Sequence, residues 1–427
     1  MGVVYDYQAA APILKQRYET QEVLNGFFED FPLLADLEKD EGSGGGFFQI
    51  NVKLARMSTR NATVPGALGN GSPDQYFKFN IPTLYNDYAV AQLAGPAVDN
   101  ASVSEDATIT LLTEAMDGAY GTAYESQAIQ VMNGGGGMRG QVNNTTFTGT
   151  VINLVNVGDA VKFWDGQVLQ VSKANDDGAG GLGITPTTPL VGSLTVAGVD
   201  YQVGTVTVTT ALSTGVPSIA QFSGLFMTND YGTGFPGLGA WNPYTAPTST
   251  IDPMLNYIGG NAGSLGRTAN TVGLSGWRFT GGGASYVTTM TNACARMNSI
   301  GAKMDRCYLN PIDWGQFANT QNNLVFIDKA KTPSQNTPTL SFETLTFMTS
   351  KGALKIMGDI TLPQGYARLL ELKHLTLRSN GKICRPANNW IGKVWMPSFT
   401  DDIVQARLVT RSFLVAREPK SLGITQF

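Results

Sequence analysis

The sequence predicts a mixed α+β fold, and three observations predict it. A long helical pattern runs over residues 102–133, a strand-rich stretch without helical period occupies 140–228, and helices interleave with strands from 285 to the end. The chain has 427 residues, which is long for one ordinary domain and enough to bury a sizeable core. No internal repeat is visible.

The helix is the clearest element. Ala107, Leu111, Ala115, Ala119 and Ala123 recur every four residues, with Leu112, Met116, Tyr120 and Tyr124 beside them. Ser102 or Ser104 is placed to cap it, Glu105 and Asp106 suit its first turn, and Asn133-Gly134 stops it. About 28 residues at 1.5 Å each give roughly 42 Å. The small-residue stripe, with Gly118 and Gly121, predicts close approach by another backbone.

Five segments follow from composition and turn signals. Residues 1–46 form an arm, in which Val23, Leu24, Phe27, Phe28 and Phe31 space a short helix ending before Pro32. Residues 47–101 hold a two-stranded excursion, FFQINVKLARM and QYFKFNIPTLY, around the turn-rich TRNATVPGALGNGSPD. An isolated hairpin is marginal in water, so this one is expected to lie on another subunit. Residues 102–139 carry the helix. Residues 140–228 read as a small β-barrel or sandwich inserted into a larger domain, with Asp165-Gly166 and Gly204 as hairpin or bulge positions. GGGGMRG at 134–140 and NDYGTGFPG at 229–237 read as its hinges. In 229–427 a long loop region reaches 284. Then Val287, Met290, Cys294, Met297 and Ile300 mark a helix face, RCYL a strand, and Asn310-Pro311 the start of a second helix. Strands follow in LKIMGDI, ARLLELKHLTLRS, KVWMP and ARLVTRSFLVAREP.

Charged residues make up only 15% of the chain, against roughly 25% in an average globular protein. Such a surface is expected to be hidden largely against other subunits. The net charge is −4 and no run of four basic residues exists, which argues against a protein built to grip DNA. A mildly acidic wall still suits enclosing DNA without trapping it. Three cysteines, Cys294, Cys307 and Cys384, are too few and too dispersed for a disulfide framework or zinc site. MGVVYDYQAA does not read as a signal peptide, and no stretch approaches 18 uninterrupted apolar residues.

Catalytic chemistry finds little support. His374 is the only histidine and sits in a strand-like pattern, LELKHLTL, so no His-based metal site or triad can be built on it. The glycine runs at 42–46, 134–137 and 281–283 lack a following Lys-Ser or Lys-Thr and read as hinges. Asn175, Asp176, Asp177 and Gly178 resemble a fragment of a calcium loop without its remaining ligands, and read as a solvated turn. The pairs Glu29-Asp30 and Asp401-Asp402 read as exposed. No catalytic, cofactor-binding or metal residue is assigned, and no enzyme is expected.

The order of parts resembles the major capsid proteins of tailed bacteriophages with the HK97-like fold. YFKFNIPTLYNDY looks like the returning strand of that family's E-loop. SLGRTANTVGLSGWRF and KMDRCYLNPIDWGQFA look like the crossing into its axial domain. GALKIMGDITLPQGYARLLELKHLTL, with Pro363-Gln364-Gly365 as a turn, resembles its late strands, and AREPKSLGI its tail. The resemblance covers nearly the whole chain except 140–228. It implies an N-terminal arm, an E-loop, a spine helix with a peripheral domain and an axial domain, plus an inserted all-β domain. It further implies pentamers and hexamers in an icosahedral shell enclosing double-stranded DNA without sequence-specific binding. A separate scaffolding protein and a portal are implied partners, with decoration proteins as optional ones. Assembly is expected in the bacterial host cytoplasm, the final place is the virion capsid, and no membrane is involved. Some members cross-link an E-loop Lys to a neighbour's Asn. Here Lys53 and Lys78 flank the loop and its tip, 61–74, has no Lys, so cohesion is expected to be non-covalent. The alternatives are an encapsulin-type nanocompartment shell and a secreted β-rich adhesin. The long helix and the missing signal peptide speak against the adhesin.

Overall fold

A computed structural model describes residues 31–42, 48–55, 59–69, 71, 74–81, 84–95, 111–258, 266–320, 345–387, 395–397 and 402–427. The first elements are α1 (Pro32–Asp36), β1 (Glu38–Asp40), β2 (Phe48–Ala55), α2 (Val64–Gly69), β3 (Gln75–Ile81), β4 (Tyr85–Ala94) and α3 (Leu111–Met132). Next come β5 (Gly140–Gln141), β6 (Val151–Asn153), β7 (Val168–Ala174), β8 (Leu194–Asp200), β9 (Thr205–Val208), α4 (Leu212–Gly215) and β10 (Ser223–Met227). Then α5 (Leu238–Trp241), α6 (Thr271–Ser275), β11 (Trp277–Thr280), α7 (Tyr286–Ser299), β12 (Arg306–Leu309) and α8 (Pro311–Thr320) follow. The last strands are β13 (Leu345–Thr349), β14 (Gly352–Gly358), β15 (Tyr366–Leu370), β16 (Leu375–Ser379), β17 (Arg385–Pro386), β18 (Trp395–Pro397), β19 (Ile403–Ala416) and β20 (Gly423–Gln426).

Strand β19 organises the first sheet. β4 pairs along one edge of it, from Ile403↔Ala94 to Ser412↔Tyr85, while β16, β17 and β18 share the other. Helix α3 lies on this sheet. Ala119 of the helix is buried with Ala91, Ala406 and Leu408, and Ala89 and Ala115 pack beside them. The small stripe therefore meets the chain's own sheet. Gly118 is not part of that contact, because open space surrounds its Cβ position. Residues 102–110 of the expected helix lie outside the described residues, and Met132 ends it as expected.

Among the described residues, the strands of 140–227 pair only with one another, in the order β5-β10-β7-β8-β9-β6. The two outer strands then meet. A Val142↔Leu154 bridge, an N–H of Asn143 to the Asn153 carbonyl at 2.7 Å and an N–H of Val155 to the Gln141 carbonyl at 2.9 Å close the sheet into a barrel. Closure removes the open edges. The inward residues form a core of their own, including Ile152, Phe163, Val171, Val196, Val206 and Leu225. Gly204 takes a left-handed φ of 75° in the β8–β9 turn, while Gly166 (φ 82°) turns the chain before β7 and donates its N–H to Val196 of β8.

The third sheet runs β11-β20-β15-β12-β14-β13. Helix α7 buries Met290, Cys294 and Met297 over Cys307, Leu309, Ile356 and Leu369, and α8 adds Phe317. Ser285 caps α7 through the Thr288 N–H, and the Asn310 Oδ1 accepts the Ile312 N–H at 3.0 Å to cap α8. The second follows the Asn310-Pro311 start read from the sequence. Ile300 lies just past the helix, partly exposed.

The helix expected before Pro32 falls on residues 23–30, which lie outside the described residues; Pro32 itself begins a helix, α1, as the fixed φ of proline favours at a first position. Several other expectations are corrected. His374 closes a 3-10 turn, Leu372–His374, between β15 and β16, so the strand pattern around it breaks there. The hairpin excursion ends at Ile81, and the following strand β4 joins the first sheet. The loop region after 229 contains α5, α6 and β11. The glycines at 134–137 and Gly237 are packed crossings. A Cβ on Gly136 would fall 1.4 Å from the Asp177 carbonyl oxygen, and one on Gly237 2.1 Å from that of Gln130. Residues 43–46 of the first glycine run, with Glu29, Asp30 and Asp401, lie outside the described residues, and Asp402 is exposed.

Candidate assembly surfaces

Strands β2 and β3 form a two-stranded sheet, joined to the rest of the described residues by a single Phe79↔Ile258 bridge. The root of the hairpin belongs to the central core: Ile50, Val52, Phe79 and Ile81 are buried there with Trp241 and Phe413. The hairpin, expected to lie on another subunit, is thus packed within its own chain at its root. Its far end is exposed. There Lys53 pairs with Asp74 at 2.6 Å and lies over the Tyr76 ring, and Tyr76 is exposed. The tip helix α2 buries no residue, with Val64 75% and Leu68 80% exposed. Six residues of helix have too few internal hydrogen bonds to be stable in water without cover.

A second open surface is the face of the first sheet turned away from α3. Side chains alternate along a strand, so the residues between those touching α3 point the other way. On that face Tyr88 and Val90 of β4 stand beside Arg407 and Arg411 of β19, with Val90 directly opposite Arg407. All four are exposed. An apolar residue and an aromatic one interleaved with arginines is the composition of a covered protein face.

Buried charge collects where the barrel meets α3. Glu125 shares a helical face with Ala128, Ile129 and Met132, which was the one sign of it in the sequence. Burial pushes its carboxyl up to about 7, against the opposing pull of Arg139 and Lys162. An Arg139 guanidinium nitrogen stands 3.4 Å from Glu125 and donates to the Lys162 carbonyl at 3.0 Å, and the group lies 5.7 Å over the Trp164 ring. The Lys162 ammonium pairs with Asp159 at 2.6 Å and donates to the Thr361 carbonyl at 3.1 Å. A cavity of about 120 Å³ lies between Glu125, Lys162, Trp164 and Ile360.

The turn at 175–178 is not solvated. Asp176 and Asp177 are buried. The Asp177 carboxylate accepts the N–H groups of Ala179, Gly180 and Gly181, and Asp176 accepts from Gly178, Thr187 and the Tyr231 hydroxyl. Donors already fill the lone pairs that a cation would need, so the loop is a staple. The His374 Nε2 stands 2.8 Å from Glu418, a structural pairing near the surface. All three cysteines are free and buried, and burial pushes Cys294 up to about 12 and Cys384 up to about 11. Such thiols stay protonated and unreactive at neutral pH. Among the described residues, no group of three or more His, Cys, Asp or Glu is placed to hold a metal ion.

No family model and no curated protein matches the sequence. The fold does resemble solved structures. The chain is similar to the capsid asymmetric unit of cyanophage A-1(L), at 10% identity over 99% of this chain and 98% of that one, with a TM-score of 0.49. It is similar to the capsid of a native GTA particle at 9% identity, over 99% and 97%, with a TM-score of 0.47. It is also similar to the holo-SrpI encapsulin from Synechococcus elongatus, at 9% identity over 98% and 94%, with a TM-score of 0.44.

Proposed function

We propose that this chain is the major capsid protein of a tailed double-stranded DNA bacteriophage, assembling as pentamers and hexamers into an icosahedral shell. The observation that carries this reading is the β2–β3 hairpin, rooted in the core and ending in a helix with no buried residue. Such a tip gains stability only when a neighbouring copy covers it. The open face beside Arg407 and Val90 offers a partner surface of matching character, and the low charge content agrees with a surface largely hidden in an assembly.

In this reading residues 1–46 are the arm, 47–101 the E-loop, and 102–139 the spine helix with part of the peripheral domain. Residues 140–228 are an inserted module and 229–427 complete the peripheral and axial domains. The closed barrel supports the module, which would sit outside the shell, where an insertion interferes least with DNA. Scaffolding protein and portal would act during assembly. The shell would hold DNA by enclosure, with no enzymatic step and no cofactor.

The test is assembly of the full chain with its scaffold, followed by negative-stain microscopy and sedimentation. Closed icosahedral particles are expected, and a monomer under every condition would defeat the proposal. Particles that enclose protein and exclude DNA would instead place the chain among encapsulin-type shells.

A further inference from the structure

We propose that the seating of the barrel on helix α3 is proton-linked, with Glu125 as the switch and Arg139 as its lever. The geometry carries this. Glu125 of α3 is buried and lines one small cavity with Val161, Lys162 and Trp164 of the barrel, and its neighbour Arg139 bonds the barrel's Lys162 carbonyl. Lifting the barrel therefore returns this carboxyl to water. Arg139 is the residue just before β5, where the chain enters the barrel. It touches Glu125 on one side, the Lys162 carbonyl on another and the Trp164 ring on a third. A change of charge on Glu125 is thus felt by the first strand of the barrel and by its 3-10 turn, Val157–Lys162, together.

The surrounding charges are unbalanced. Lys162 is matched by Asp159, its partner at 2.6 Å, with Asp359 buried beyond it. Arg139 faces Glu125 and also acts on Asp230, which in turn feels Asp87 of β4. One guanidinium thus serves two carboxyls, Glu125 and Asp230. Burial raises both Glu125 and Asp230. Taking up a proton at Glu125 relieves the excess and frees Arg139 for Asp230. The cavity beside Glu125 gives water a place from which to supply that proton.

The sign follows from linkage. The carboxyl holds its proton up to about 7 when seated, against an ordinary value of 4.5. The seated state therefore binds the proton more tightly. Seating is strongest below pH 4.5, weakens as the pH rises toward 7, and stays at its lower level above that. The shift corresponds to a change in the seating equilibrium on the order of a hundredfold across that window.

Trp164 is the reporter. Its emission is obtained on the full-length chain as the difference between the wild type and Trp164→Phe, from pH 4.5 to 8.5. A titration with its midpoint near 7 is expected, and Glu125→Gln should flatten it. Hydrogen exchange in 140–227 should rise with pH relative to 286–320 in the wild type, after correction for intrinsic rates, and not in Glu125→Gln. An unchanged titration in Glu125→Gln would overturn the proposal. A flat Trp164 signal in the wild type would overturn it as well, and that arm stands even if the variant does not fold.

Discussion

The Oδ2 of Asp36 accepts a hydrogen bond from the Arg306 Nε at 2.9 Å, joining residues 270 apart in sequence. The Tyr308 hydroxyl donates to the same oxygen at 2.9 Å. One carboxylate thus ties the end of α1 to β12 of the third sheet. Asp36→Ala should cost about 1–3 kcal/mol, because the buried Tyr308 hydroxyl loses its partner. Calorimetry should show a fall in Tm of a few degrees, and Asp36→Asn should recover part of it. A wild-type Tm in Asp36→Ala would show that the tie contributes nothing.

The hairpin tip makes the opposite prediction. Val64 and Leu68 are 75% and 80% exposed, so Val64→Asp with Leu68→Asp should leave subunit melting within about 0.5 kcal/mol of wild type. Assembly should be lost, since two charges would enter a face that a neighbour must cover. Sedimentation and melting are to be measured on the same preparation. Normal particles would mean that the tip stays in water and that another surface joins the subunits.

Asp252 and Arg267 form a fully buried ion pair beneath Trp241, whose carbonyl accepts a further guanidinium N–H at 2.9 Å. Asp252→Ala leaves a guanidinium in the core without its counter-charge and should cost about 3–5 kcal/mol. Replacing both by apolar residues of similar volume should cost much less. Denaturant unfolding of the single and double variants separates the two outcomes.

The α+β class, the long helix and the late strands were legible because each rests on a local pattern: the apolar, β-branched run of β19, the four-residue recurrence in α3, the Asn310-Pro311 cap of α8. What escaped the sequence depends on pairs distant along it. That Gly136 crosses Asp177 cannot be seen from a glycine run, which looks the same in a hinge and in a close crossing. The Asp176-Asp177 staple resembled a surface turn because its donors include Thr187 and Tyr231. The candidate surfaces were half legible. The hairpin's alternation was visible, but the burial of Phe79 against Trp241 and the 80% exposure of Leu68 were not.

The barrel closes through Val142 and Leu154 and fills itself, so residues 140–228 should fold alone. The isolated segment is expected to melt cooperatively in circular dichroism. A chain without sigmoidal melting would show that the junction with α3 is needed to complete it. The excised piece should also be less stable than the barrel in place, because Lys162 would lose the Thr361 carbonyl.

Two glycines near the same helix should respond in opposite directions. Gly118 is exposed within α3 with nothing near its Cβ position, so Gly118→Ala fills open space and removes the backbone freedom that disfavours glycine in a helix. A gain of about 0.5–1 kcal/mol is expected. At Gly136 the added methyl would lie 1.4 Å from a backbone oxygen, and no rotamer can relieve a clash with backbone. Gly136→Ala must instead separate the 134–137 segment from the Asp177 turn, losing N–H contacts and packing at the root of the barrel. It should lower stability by several kcal/mol, or uncouple the barrel so that it melts as a second transition. Calorimetry of both variants decides the matter. Equal and small effects would mean that the crossing yields as a hinge would, as the glycine run alone first implied.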